Sequence, residues 1–338
     1  MGDFGVGYHV NPQILGEDVL GAATFIDAII HNVHGVPFRI KNAISVREED
    51  AGILWQQADF RAPKKVVTVR SHRLAVACTT TFNNYDYSIN WFFYQDGSIQ
   101  FQIQLLGIIY TTMIAAGSKS GVWGTQVAPQ VGAQFHQHFF TARIDSDFDG
   151  IANSVSTQDV QGLNADTNSA SNPYGQGITL NVTLLRTAGE GRTNIAPLKG
   201  RTWVVTNPNK ASPVTGKPVG WKLILGTMPP LLMKKDSPLR PRAGHLEHDV
   251  WVTPYRDGDL YPGGFYLNNS GLPEWVGSDP GASIENTDVV LWHNFGISHI
   301  TSPENYPIMN VETVGFWLKP YNFFNENPAI DVPPTVTS

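Results

Sequence analysis

Cysteine is nearly absent: Cys78 stands alone among 338 residues, so no intramolecular disulfide can staple the fold. Charge is sparse, at 15% of residues with a net of −6. No basic run is long enough to neutralise a line of phosphates, which argues against nucleic-acid binding through a basic surface. No stretch approaches the roughly 20 apolar residues of a membrane-spanning helix. The opening residues show no basic leader followed by an apolar block. Cofactor loops are missing too. Gly2, Gly5 and Gly7 fall in the wrong order for a dinucleotide fingerprint, and no phosphate-binding G-x-x-x-x-G-K-[ST] occurs. Nor is there a G-x-S-x-G nucleophile elbow. Helical pattern is scarce, and Gly21–Ile30 reads either as a short helix or as another strand.

What is present is punctuation and β-formers. Thirty-two glycines and 23 prolines cut the chain into short segments rich in Val, Ile, Thr, Phe, Tyr and Trp, the pattern of many strands joined by turns. Val66–Ala77, Ser88–Tyr94 and Ile99–Tyr110 are predicted strands, and Asp96-Gly97 between the last two is a hairpin signal, because glycine accepts the positive φ a tight turn imposes. Thr202–Thr206, Gly220–Leu225, Val250–Tyr255 and Asp288–Trp292 continue the series. Segments 160–178 and 207–218, rich in Asn, Ser, Gly and Pro, read as surface loops. The fold class is therefore all-β, a large β-sandwich. Length alone would suggest roughly two domains, yet sandwiches of this kind often run past 200 residues as one unit. Asn181 and Asn268 head triplets that fit the glycosylation sequon, which matters only in an exported protein.

The densest chemistry lies in Gln134–Gly150. His136 and His138 are two apart, so on a strand both imidazoles face one way and make half of a metal site. A bare pair of this kind is more often structural, and a third ligand is needed. His245 and His248, three apart, share a face only on a helix, which Pro241 and the adjoining strand oppose. His293 and His299 are both available, and periodicity does not choose between them. Asp145, Asp147 and Asp149 alternate as in the first half of a calcium loop. Position twelve of an EF-hand would be Ser156 rather than a bidentate Glu, so that reading fails, while a cation site borrowing a distant carboxylate and a solvated acidic turn stay balanced. Tyr85 and Tyr87 in a strand read first as packing residues. Cys78 reads as a buried thiol.

Several segments together resemble the copper-containing amine oxidases: Thr81 before Asn84-Tyr85-Asp86-Tyr87; His136-Gln137-His138 followed by Arg143-Ile144-Asp145; His299 followed by Pro303-Glu304-Asn305-Tyr306-Pro307-Ile308-Met309; and the tail Val314–Pro320 with Asn327-Pro328-Ala329. The likeness runs from about Met1 to about Pro334 in one order. It implies that Tyr85 is the precursor of topaquinone, self-processed with copper and dioxygen, and that Asn84 and Asp86 constrain its ring. It implies His136, His138 and His299 as Cu(II) ligands, with Met309 nearby. Asp145, Asp147 and Asp288 would hold a peripheral Ca2+ with the carbonyls of Ser146 and Val289. The implied reaction takes a primary amine and dioxygen to an aldehyde, ammonia and hydrogen peroxide, usually in a homodimer, with neither nucleic acid nor membrane as partner.

The resemblance also carries departures. In the family the catalytic aspartate precedes a glycine-rich segment matched here by Met1–Gly7, which places the base immediately before Met1; Asp3 does not inherit that role. The expectation is thus one catalytic domain over residues 1–338 lacking its first strand or strands and the family's smaller N-terminal domains. Segments 15–19 and 43–46 lack the family's cysteine pair. Arg47 and Gln56-Gln57 replace residues usual there. Two alternatives accompany this reading: an inactive copper-binding β-sandwich fragment without its base, and a calcium-stabilised binding domain. The amine and the compartment are not specified.

Overall fold

The computed structural model describes residues 6–62 and 65–334; the glycine-rich start with Asp3 lies outside them. Among the described residues sixteen strands follow one another: β1 (Ala23–His31), β2 (Pro37–Ala58), β3 (Val66–Phe82), β4 (Tyr85–Tyr94), β5 (Ile99–Gly107), β6 (Thr111–Met113), β7 (Gly124–Ala128), β8 (Val131–Gln134), β9 (His136–Asp145), β10 (Ser154–Gly162), β11 (Ile178–Leu185), β12 (Thr202–Ala211), β13 (Pro218–Leu225), β14 (Val250–Pro254), β15 (Val289–His299) and β16 (Glu312–Tyr321). One α-helix, Leu272–Ser278, joins them among the described residues. The fold is all-β, as the composition predicts. Gly21–Ile30 resolves as strand β1. The expected loops are shorter than predicted, because β10 runs to Gly162 and β12 to Ala211.

The chain divides into two compact units, the first built from residues 1–138, 296–316 and 326–338, the second from 139–295 and 317–325. In the first unit β1 to β5 form an antiparallel meander. Hairpin chemistry sets its register. Gly97 takes φ 78° while the Asp96 carboxylate accepts from the Ser98 backbone N–H at 2.9 Å. Asn83 takes φ 60° at the turn before Tyr85, a left-handed conformation that asparagine tolerates. Alternation buries Tyr85 and Tyr87 on one face of β4 and Ile103 and Leu105 on β5. Phe316, midway along β16, is buried against Phe101, ring centroids 5.3 Å apart. In the second unit β10 to β13 pair antiparallel over a core containing Trp203 and Leu223, both at 0% exposure. Trp292 and Phe295 fill a further part of that unit. Each such side chain, withdrawn from water, contributes on the order of 1.5–3 kcal/mol.

Candidate functional site

In the first unit β9 delivers His136 and His138, and β15 delivers His299 at its last residue. One ring nitrogen from each lies within 4.8 Å of the others. The centroids of His136 and His138 are 4.7 Å apart, with His299 5.0 Å from the first and 6.2 Å from the second. The two strands are tied beside the cluster by Gln137, whose amide donates to Ser298 Oγ at 2.9 Å. Gln137 points opposite to its histidine neighbours because side chains alternate along a strand.

Hydrogen bonds assign the tautomer of His136. Its Nδ1 lies 2.8 Å from the Gln134 carbonyl oxygen, which can only accept, so Nδ1 carries the proton and Nε2 a lone pair. Tyr85 Oη sits 2.9 Å from that Nε2 and so donates to it. The same oxygen accepts from the Tyr110 backbone N–H at 3.0 Å. Burial raises the Tyr85 phenol above its ordinary value, with the Tyr110 N–H partly offsetting this. Nε2 of His138 and Nε2 of His299 are buried with no hydrogen-bond partner. Orphaned ring nitrogens beside a third imidazole are costly unless something uses their lone pairs, and three neutral imidazoles suit Cu(II) or Zn(II). The residues present fit a copper ion. Burial, then the neighbouring His136 and His299, depresses His138 to about 3. His299 is lowered chiefly by burial, with His136 adding to it.

The backbone around Tyr85 is over-determined. Tyr85 pairs with Gly107 across β4 and β5, and Gly107 at φ 95° approaches so closely that a Cβ there would stand 2.5 Å from the Asn84 carbonyl oxygen. The Gly107 carbonyl accepts from the Met309 backbone N–H at 2.9 Å, and the Ile108 N–H donates to the Asn84 carbonyl at 2.8 Å. Thr81 Oγ1 donates to the Asp86 carboxylate and accepts from the Asn11 amide at 2.7 Å, clamping β3 to β4 on either side of the turn. Neither Gly107 nor the Tyr110 N–H was singled out from the sequence. A glycine closing the strand after an Asn-Tyr hairpin was the available signal.

The other histidines do not join this cluster. His293 is fully buried in the second unit with Nδ1 3.2 Å from the Asp249 carbonyl oxygen. His245 lies within one 3-10 turn, Gly244–Glu247, and His248 caps its end; Pro241 and the following strand leave no room for a longer helix. A single turn fits between them, and His248 packs its edge on Trp251 at 4.9 Å. Tyr87 is more than a packing residue, since its hydroxyl lies 3.1 Å from His138 Nδ1. Cys78 is half-buried, and burial raises its thiol.

In the second unit Asp145, at the end of β9, Asp147 and Asp288, just before β15, bring carboxylate oxygens within 4.8 Å of one another. Burial, then Asp145 and Asp147, holds the Asp288 carboxyl above its usual range. Arg143 donates to Asp145 at 3.1 Å and lies over the rings of Tyr255 and Trp292. Ser146 and Val289 are buried beside these carboxylates in sequence. The donor set is all oxygen, which suits a hard cation.

The family model described as the copper amine oxidase enzyme domain matches residues 1–338. Copper amine oxidase 1 of Schizosaccharomyces pombe is 40% identical over 99% of this chain and 48% of its own length. Histamine oxidase of Arthrobacter globiformis is 39% identical over 98% of this chain and 48% of its own. The crystal structure of a copper-containing benzylamine oxidase from Hansenula polymorpha superposes with a TM-score of 0.91 at 32% identity, covering 99% of this chain and 52% of that one. The chain spans about half the length of the curated relatives it matches.

Proposed function

The chain belongs to the copper amine oxidase family, and from that premise we propose that residues 1–338 form the catalytic domain of a primary-amine oxidase, acting on a small primary amine and dioxygen. Copper held by His136, His138 and His299 would supply the redox chemistry that turns Tyr85 into topaquinone. The protein's own part is positional. Three neutral imidazoles offer lone pairs without like-charge repulsion. Tyr85, held between the His136 Nε2 acceptor and the Tyr110 N–H donor, has its phenol oxygen beside the metal-facing nitrogen before any metal arrives. Asn84 and Asp86 brace the ring through the backbone and Thr81. The observation that carries the reading is the Tyr85 Oη to His136 Nε2 hydrogen bond inside a cluster whose other two imidazoles have an unpartnered buried nitrogen.

In the same reading Asp145, Asp147 and Asp288, with the carbonyls of Ser146 and Val289, hold Ca2+, and the active protein is a homodimer. The test is to load the metal-free chain with Cu(II) in air. A visible absorption band and a quinone stain are expected in the wild type and absent from Tyr85→Phe; a wild-type chain that binds copper and stays colourless overturns the assignment.

A further inference from the structure

Tyr85 and Tyr87 on β4 face His136 and His138 on β9 as two phenol–imidazole pairs, at 2.9 and 3.1 Å. The period of two on each strand makes both pairs possible, but the pairs differ in which nitrogen they engage. Tyr85 meets Nε2 of His136, the nitrogen left free when Nδ1 binds the Gln134 carbonyl. Tyr87 meets Nδ1 of His138, and the nitrogen left free there is the buried Nε2. We propose that Tyr87 is a positioning residue for the metal: its hydroxyl oxygen accepts from His138 Nδ1–H and holds the ring in the tautomer and orientation that present the Nε2 lone pair to the ion. This deepens the copper reading above and rests on it.

A neutral imidazole carries one proton, so one ring nitrogen donates and the other accepts. With the proton on Nε2, a buried donor would face two other imidazoles with no acceptor. With it on Nδ1, the Tyr87 oxygen takes it and the lone pair points into the cluster. Tyr87 is fixed for this task. It is 3% exposed, registered between Thr80 on β3 and Leu105 on β5, with its ring centroid 6.0 Å from that of His138. Outer partners of this kind typically change metal affinity 10–100-fold when removed. The corresponding acceptor for His136 is a main-chain carbonyl, which no substitution deletes, so Tyr87 is the side chain through which this effect can be measured.

The experiment uses the full 338-residue chain stripped of metal and titrated with Cu(II) against a competing chelator. Tyr87→Phe is compared with wild type and with Tyr94→Phe, a hydroxyl deletion on the same strand whose phenol engages Gln100 and Arg73 instead. The expected result is a roughly 10–100-fold weaker Cu(II) affinity for Tyr87→Phe, an altered copper EPR spectrum, and wild-type affinity for Tyr94→Phe. Should Tyr87→Phe also lower the melting temperature of the metal-free chain, the further rise on adding Cu(II) reads the affinity separately from the fold. Tyr87→Phe affinity within twofold of wild type, or an undiminished rise, overturns the inference alone. A wild-type chain that binds no Cu(II) overturns both the inference and the proposed function.

Discussion

The two metal-capable clusters differ in how each bears its own assembly. In the first unit one half-buried and two buried imidazoles converge; in the second, two exposed carboxylates and one half-buried one. Burial lowers His138 and His299 and so lets these imidazoles gather without charge repulsion, at the cost of leaving acceptors unpaired. Carboxylates gathered equally closely repel, and solvent, Arg143 and a raised Asp288 pKa absorb the strain. Burial favours the neutral form of a group and opposes the charged one. A buried site can therefore be preformed for a soft or borderline ion, whereas a charged site for a hard ion stays near water.

The contrast predicts a double dissociation, the largest effect. His138→Ala should lose stoichiometric Cu(II) and the copper-dependent visible band. Asp145→Asn should retain both and weaken only Ca2+ binding, read by metal analysis after loading with each ion. Loss of copper in Asp145→Asn would break the independence of the two sites.

A smaller effect sharpens the first cluster. Gly107→Ala forces a Cβ against the Asn84 carbonyl at φ 95°. Backbone strain of this kind costs of the order of 1–3 kcal/mol, so the melting temperature of the metal-free chain should fall and the yield of the visible band at full copper occupancy should drop. A normal yield would mean that the Asn84–Tyr85 backbone can shift without moving the phenol.

The smallest effect is one of sign. In the folded chain His138 titrates at about 3, and His245 and His293 at about 4, against an ordinary 6.5. Between those values the unfolded chain binds more protons, so metal-free stability should fall as pH drops from 6.5 toward 3. Asp288 works oppositely: its pKa lies above the ordinary 3.8, so the folded chain takes up its proton first and gains stability as pH falls through that window. Asp288→Asn should thus melt above wild type at neutral pH, with the gap closing on acidification. A pH-independent gap would refute the raised Asp288 pKa, whose main cause is burial, with Asp145 and Asp147 adding to it.

The strand segments were legible because period-two apolar alternation and Gly, Asn and Asp turns are local properties. Asp96-Gly97 and Asn83 show this, and so does the ambiguity of Gly21–Ile30, whose apolar residues suited either period until β2 paired with it. Two of three imidazoles were legible for the same reason, since His-x-His on a strand needs no tertiary information. The third was not. His293 and His299 are six residues apart on one strand, and only the resemblance to a family preferred His299. Tyr87 packs in the core as its strand position suggests, but its hydroxyl's contact with His138 was not legible, because nothing within β4 shows that β9 stands opposite.

The sequence by itself determined an all-β chain without disulfides, the turns, and the pairs of same-facing residues Tyr85/Tyr87 and His136/His138, because each follows from backbone period and turn chemistry. Tertiary structure alone decided that Asp288, remote in sequence, joins Asp145 and Asp147, and that Tyr85 meets Nε2 of His136 while Tyr87 meets Nδ1 of His138. Those outcomes depend on which strands end together and which ring atoms burial leaves unpaired, and no local pattern encodes either.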